Sequence, residues 1–350
     1  MRRVMVEVVT HPASPRRLFS TLASALLLAC ASTVHAEEHA PPSRVPPKET
    51  FEIVKVIDGD TIHIQRAGVV EKLRLLHVDT EETLSNGKGS ETKPGTVFGT
   101  ECALWAQDYF KQLGKDGAAP RVGLLFPTGK EERDVYGRLL CHVILPDGTD
   151  YNLLLVEQGK SPYFQKYGWS KVLHSEFVAA QTAARKAQKG IWNPKVNEPA
   201  SKDAPSAKRP YDQLLPWWEA RAIAYKAIET EAEKDGSVCS AAEPEQLARA
   251  AKSPEKDRVW GEIDRCFEET NGDLTVLMRS GKGKQALRIV VKAEDRAAHE
   301  ALQLPKRSDD FRQNLLWFEG FVTETDRGWR AVSHAPSHWK AAGPEPSELK

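Results

Sequence analysis

The chain has 350 residues, room for two domains of ordinary size. Its 49 Lys and Arg balance its 49 Asp and Glu. Attraction by bulk charge is therefore excluded, and any affinity for nucleic acid has to come from a local patch.

Arg16 and Arg17 precede an apolar run from Leu18 to Ala29, and Val34-His35-Ala36 offers small residues before a cut. This pattern predicts a secretory signal peptide over 1–36, and hence a periplasmic or secreted protein. The run is short for a permanent membrane anchor. Two variants stay open. Arg16-Arg17-Leu18-Phe19 has the form of a twin-arginine export signal. Leu27-Leu28-Ala29-Cys30 is an imperfect lipobox, with Cys30 as the lipidated residue; the good site at Ala36 favours a Cys30 that is simply discarded. Export permits disulfides. The remaining cysteines fall one pair to each half of the chain, so Cys102–Cys141 and Cys239–Cys266 are the expected bridges. The alternative is four small buried thiols.

Residues 37–50 are proline-rich and polar and read as a tether. From Phe51, the segments FEIVKVI, TIHIQ and EKLRLLHV are short, β-branched and alternating, which predicts strands. Residues 84–97 form a glycine-containing loop. Phe98, Cys102, Trp105, Ala106 and Tyr109 recur at helical spacing, so Phe98 to Leu113 is an amphipathic helix. Strands resume at 121–126 and 138–145, followed by helices over Tyr151 to Gln158 and Val172 to Lys189. Over 51–193 the order predicts a mainly β fold: an oligonucleotide-binding-type barrel of five strands with three helices. Residues 194–210 are linker by composition. In the accessory α+β region, 211–342, Tyr211 to Lys234 is a helix burying Leu214, Leu215, Trp218, Ile223 and Ile228. The strands after it, with a Gly-Lys-Gly-Lys turn at 281–284 and a helix near 294–302, could be a second barrel of the same type. Residues 343–350 are a tail.

Asp58-Gly59-Asp60 alone is a hairpin turn. Asp79 and Glu82, directly after the strand Lys72 to Val78, shift that reading. Strand pairing could bring Asp60 and Asp79 together with the Thr80 carbonyl alongside. Oxygen-only ligands suit Ca²⁺ or Mg²⁺ rather than zinc. Arg74 and Arg138 offer planar, permanently charged forks suited to phosphate. Singly, each is also explained as a surface residue in a salt bridge.

Val56-Ile57-Asp58-Gly59-Asp60-Thr61, Leu73 to Thr83, Phe98-Gly99-Thr100-Glu101, Asp134-Val135-Tyr136-Gly137-Arg138 and Gly190-Ile191-Trp192 stand in an order that resembles the thermonuclease, or staphylococcal nuclease-like, family across 51–193. The resemblance implies a Ca²⁺-dependent phosphodiesterase acting on DNA and RNA and leaving 3′-phosphates. Asp60, Asp79 and the Thr80 carbonyl would hold one Ca²⁺, Mg²⁺ not being excluded, with Asp58 behind them. Glu82 would be the general base or position the water, and Arg74 and Arg138 would grip the phosphate. Two departures stand out. Glu81 replaces the family's proline, which should loosen the turn that sets Glu82, and Val135 removes a positive charge that some relatives carry. Tyr136, Tyr163 and Tyr167 are candidates for stacking bases, with a buried core role for at least one of them. Lys88, Lys93 and Lys130 would add backbone attraction or simply be solvated. Competing readings are a weak or inactive barrel binding nucleic acid or protein, and an envelope protein whose C-terminal region, of unknown ligand, is the working part.

Overall fold

The computed structural model describes residues 45–86, 91–114, 117–134, 136–198, 207–278, 286–309 and 311–349, all within one unit of the chain, residues 42–350. The expected signal peptide, Cys30, Lys88, Val135 and the 281–284 turn lie outside them.

The strands β1 (Phe51–Val56), β2 (Thr61–Arg66) and β3 (Val69–Leu75) form an antiparallel meander. Alternation decides which side is core: Ile62 and Ile64 on β2, and Leu73 and Leu75 on β3, are buried, while the intervening residues are not. Two residue pairs, β4 (Glu82–Thr83) and β5 (Gly95–Thr96), run parallel and lead into α1 (Val97–Leu113). The Thr96 hydroxyl caps α1 by accepting from the Gly99 amide at 2.9 Å. After α1 come β6 (Arg121–Leu125), β7 (Glu132–Arg133) and β8 (Leu139–Ile144). Strand β8 runs parallel to β3 and antiparallel to β6, and β6 pairs with β1. That circuit closes a five-stranded barrel with helices, the predicted architecture. Helices α2 (Tyr151–Glu157) and α3 (His174–Lys186) cover it. The core joins Leu73, Leu75, Phe110, Leu139, Tyr151, Tyr163 and Phe177.

Helix α4 (Tyr211–Ala232) follows, then β9 (Val238–Ser240), α5 (Pro244–Ala250), β10 (Asp257–Glu268), β11 (Leu274–Met278) and β12 (Leu287–Val291). A short helical stretch over 293–302, with α6 (Arg296–His299) at its centre, precedes β13 (Leu315–Gly320), β14 (Thr323–Thr325), β15 (Gly328–Ser333) and β16 (Trp339–Ala341). The wiring repeats that of the first barrel. Strands β10, β11 and β12 form a meander, a helix follows the third strand, β13 returns antiparallel to β10, and β15 lies parallel to β12. Among the described residues no ladder joins β13 to β15, so this second sheet stays open where the first closes.

Two expectations need correction. The four described cysteines are free thiols. Cys102 donates towards the Lys160 carbonyl at 3.9 Å, and Cys266 towards Leu304 at 3.5 Å. Cys102 and Cys266 pack in apolar clusters, and burial pushes their thiols up to about 12. The expected stripe on α4 is also partly misplaced. Leu214, Trp218 and Ile228 are buried, but Ile223 is 53% exposed, and Trp217 and Arg221 are buried instead. The helix does not lie on one surface. Its first half packs around Phe164, and its second half packs on Val238, Leu315 and Trp317.

Candidate active site

The acidic residues gather because strand pairing brings the β1–β2 turn beside the end of β3. The Asp60 carbonyl accepts from Leu75 N at 3.2 Å, and Thr61 is opposite Arg74. Leu73 and Leu75 point into the core, so Arg74 between them points out of the barrel, towards Asp60. Past β3 the chain turns sharply at His77, which has a left-handed φ of 62°. The turn is held by Phe164 N donating to the His77 carbonyl at 2.8 Å, and Asp79 N donates to Ser161 Oγ at 2.8 Å. Thr80 N then donates to Asp60 Oδ2 at 2.8 Å, locking the two acidic turns together.

Arg74 bridges the pair. One nitrogen meets Asp60 Oδ1, and another lies 2.6 Å from Asp79 Oδ1. Lys93 Nζ is 2.5 Å from the same Asp79 oxygen. Asp79 Oδ2 binds Arg209, which also donates to the Asp79 carbonyl at 3.0 Å and to the Thr92 carbonyl at 2.9 Å. Burial opposes the charge on Asp79, but Arg209, Lys93 and Arg74 together hold its carboxyl well below the usual range. Asp58 is in the opposite situation: burial, with the charge of Asp60 beside it, pushes its carboxyl up to about 7.

Arg209 is the residue that the sequence reading missed. It lies in a stretch read as linker and is separated from Asp79 by 130 positions. Its guanidinium sits 5.5 Å from the Tyr211 ring and 5.3 Å from the Trp218 ring. The available signal was an arginine set directly before a proline and an aromatic-rich helix.

Glu82 is set by a close approach of backbones. A Cβ on Gly99 would come within 2.0 Å of the Glu82 carbonyl oxygen. Only a glycine lets the first turn of α1 rest against that strand. Glu81, expected to loosen this turn, has hydrogen-bonding partners of its own. Glu81 is buried facing α1, where its carboxylate accepts from the Thr96 hydroxyl and from Asn197 Nδ2 at 2.8 Å; Asn197 Oδ1 in turn accepts from Phe98 N at 2.8 Å. Gly99→Ala is expected to cost about 1–3 kcal/mol of stability through forced displacement of that backbone. Denaturant titration checks this, and an unchanged midpoint would show the contact to be slack.

Arg138 reaches the site from β8. Its Nε donates to Asp134 Oδ2 at 2.7 Å, and its guanidinium lies 5.5 Å from the Tyr136 ring. A cavity of about 640 Å³ is lined by Asp58, Asp60, Arg74, Glu82, Lys93 and Arg138, among others. Asp79 and Thr80 lie behind that wall, buried. Tyr136 is 80% and Tyr167 51% exposed, and both line the cavity. Tyr163 is 1% exposed and stacked on Phe177 at 4.9 Å, so it is a core residue that a base cannot reach. Lys130 is exposed and does not line the cavity.

Asp58, Asp60 and Asp79 offer oxygen donors of the type a hard divalent cation takes, while both Asp79 oxygens are held by Arg74, Lys93 and Arg209. The raised Asp58 carboxyl marks a place where added positive charge is favourable. Among the described residues, no cluster of three or more His, Cys, Asp or Glu side chains stands ready-formed for a metal. A cation at Asp79 would take over the charge compensation now given by Lys93 and Arg209.

The structure thus defines a closed five-stranded barrel with acids and arginines converging at one rim. The family model described as "Staphylococcal nuclease homologue" matches residues 72–194. Endonuclease YhcR of Bacillus subtilis is 36% identical over 159 residues, 45% of this chain but 12% of that protein's length. Thermonuclease of Staphylococcus hyicus is 30% identical over 149 residues, covering 42% of this chain and 77% of that protein. An uncharacterized endonuclease of Escherichia coli O157:H7 is 27% identical over 141 residues, 40% of this chain and 75% of the relative. The chain belongs to the staphylococcal nuclease homologue family.

Proposed function

We propose that the chain is an exported, Ca²⁺-dependent nuclease hydrolysing phosphodiester bonds of DNA, RNA or both, with residues 51–193 as the nuclease domain and 211–342 as an accessory domain. The observation that carries this is the convergence of Asp60, Arg74, Glu82 and Arg138 on one cavity with Asp79 directly beneath. Among the described residues no helix is long and apolar enough to cross a membrane.

In this reading Asp60, Asp79 and the Thr80 carbonyl hold the cation, with Asp58 adding charge behind them. Bound there, Ca²⁺ supplies electrostatic stabilisation to the phosphate oxygens. Glu82 orients a water and takes its proton as the water oxygen attacks phosphorus; the bond to the 5′-oxygen breaks, leaving a 3′-phosphate. A carboxylate is a weak base at neutral pH. Positioning by the Gly99 and Glu81 contacts therefore carries much of its effect. Arg74 and Arg138 stabilise charge on the phosphoryl oxygens through paired hydrogen bonds. Tyr136 and Tyr167 stack on neighbouring bases.

The test is plasmid DNA and a labelled RNA incubated with the mature chain in Ca²⁺, Mg²⁺ or excess chelator. Cleavage is expected with Ca²⁺ and is lost, by at least a hundredfold, with chelator. Undiminished cleavage in chelator would overturn the metal assignment. A second reading is favoured by one observation: both Asp79 oxygens are taken by cationic side chains. A barrel held so would bind nucleic acid without cutting, and strand retention with no cleavage under any cation is its signature.

A further inference from the structure

We infer that the C-terminal half of the chain builds the far wall of the substrate cleft, and that this cleft takes an unpaired stretch of nucleic acid whose bases lie against Trp260 and Tyr225. The inference rests on the nuclease reading above and names the form of its substrate.

The cavity that holds Glu82 and Arg138 does not end at the barrel. It continues past Lys166 and Tyr167 to Trp217 and Tyr225 of α4, Ala242 after β9, and Trp260 of β10. Its volume of about 640 Å³ exceeds what one phosphate needs and falls within the usual ~300–1,000 Å³ of sites that enclose a ligand. The chemistry changes along its length. The barrel end carries cations suited to phosphate. The far end carries Tyr225 and Trp260, set edge to face at 5.4 Å and 85°. Both rings are half-buried, backed by Val238, Leu315 and Trp317.

Lys166 lines the same cavity. Its ammonium is 5.6 Å from the Tyr167 ring and 5.3 Å from the Trp217 ring. That adds a positive charge to the wall besides those of Arg74 and Arg138, available to the backbone of a bound strand. Among the described residues lining this part of the wall, the acid is Glu262, which is compensated by Arg221. Phosphate cations at one end and aromatic faces at the other suit a chain with its bases exposed. A duplex keeps its base faces stacked inside and cannot offer them.

The test uses the Glu82→Gln chain with Ca²⁺, a fluorescein-labelled oligothymidylate, and a duplex of matched length, read by anisotropy. The single strand is expected to bind more tightly than the duplex. Trp260→Leu should weaken strand binding by about 5- to 100-fold. Ala242→Trp, which fills the far end from a half-buried position on the cavity wall, should weaken it similarly. A 5-iodouracil strand photocrosslinked to the chain with no C-terminal substitution should map to the peptides holding Trp260 or Tyr225, whatever the folding of the variants. Crosslinks confined to 51–193, or a duplex bound as tightly as the strand, would overturn the inference while leaving cleavage intact. Crosslinks at Trp260 in a chain that never cleaves would instead sink the nuclease reading and keep the cleft.

Discussion

Glu82→Gln is expected to slow strand cleavage by about a thousandfold while leaving Kd for the strand within about twofold. Glutamine keeps the size and hydrogen-bonding reach of the side chain but cannot take the proton of the attacking water, and loss of a positioned base typically costs 10²- to 10⁴-fold. The backbone that sets this residue is fixed independently of its charge, by the Gly99 approach and by the Glu81 hydrogen bonds to Thr96 and Asn197. The substitution should therefore leave the thermal midpoint near that of the parent chain. Single-turnover cleavage checks it. A fall of less than tenfold would assign proton removal elsewhere, and a thousandfold fall with equally weakened binding would make Glu82 a substrate-holding group.

Arg221→Leu should produce the largest loss of stability among the substitutions considered, about 3–5 kcal/mol. Arg221 is fully buried on α4. It pairs with Glu262 of β10, donates to Asn314 Oδ1 at 2.7 Å, and donates through Nε to the Lys166 carbonyl at 3.1 Å. One guanidinium thus joins the helix, the second sheet and the segment following the first barrel. Removing it leaves the Glu262 carboxylate buried without its cation, and that is what makes the loss large. At roughly 2–4 °C per kcal/mol for domains of 150–250 residues, the thermal midpoint should fall by about 10 °C. The paired variant Arg221→Leu with Glu262→Leu should recover most of the loss, because no lone charge remains. A single variant within 1 kcal/mol of the parent would mean that water already reaches the pair. Because Lys166 lines the cleft, loosening this joint should also weaken strand binding.

Much of the first barrel was legible in the sequence because its signals are local. Alternation at Ile62 and Ile64 and at Leu73 and Leu75 marks the inward face whatever lies across the sheet. The Asp58–Asp60 turn and the Asp79–Glu82 turn each flank a strand, so pairing those strands was enough to bring Asp60, Asp79 and Arg74 together. Tyr163 shows where that legibility stops. A tyrosine in that segment reads the same whether it faces a base or Phe177, and only packing separates the two.

What the sequence by itself determined is the barrel, its order of strands and helices, and the acidic and arginine residues at its rim. The barrel's elements follow from spacings of two residues in strands and from three to four in helices, all within short windows, and the rim residues from the ordered blocks that resemble the family. Tertiary structure alone decided that the described thiols stay unpaired, that Glu81 meets Thr96 and Asn197, and that Arg209 and Arg221 are buried at joints between distant segments. A buried arginine is stable only where several acceptors converge on it, and those acceptors come from parts of the chain that no local pattern connects.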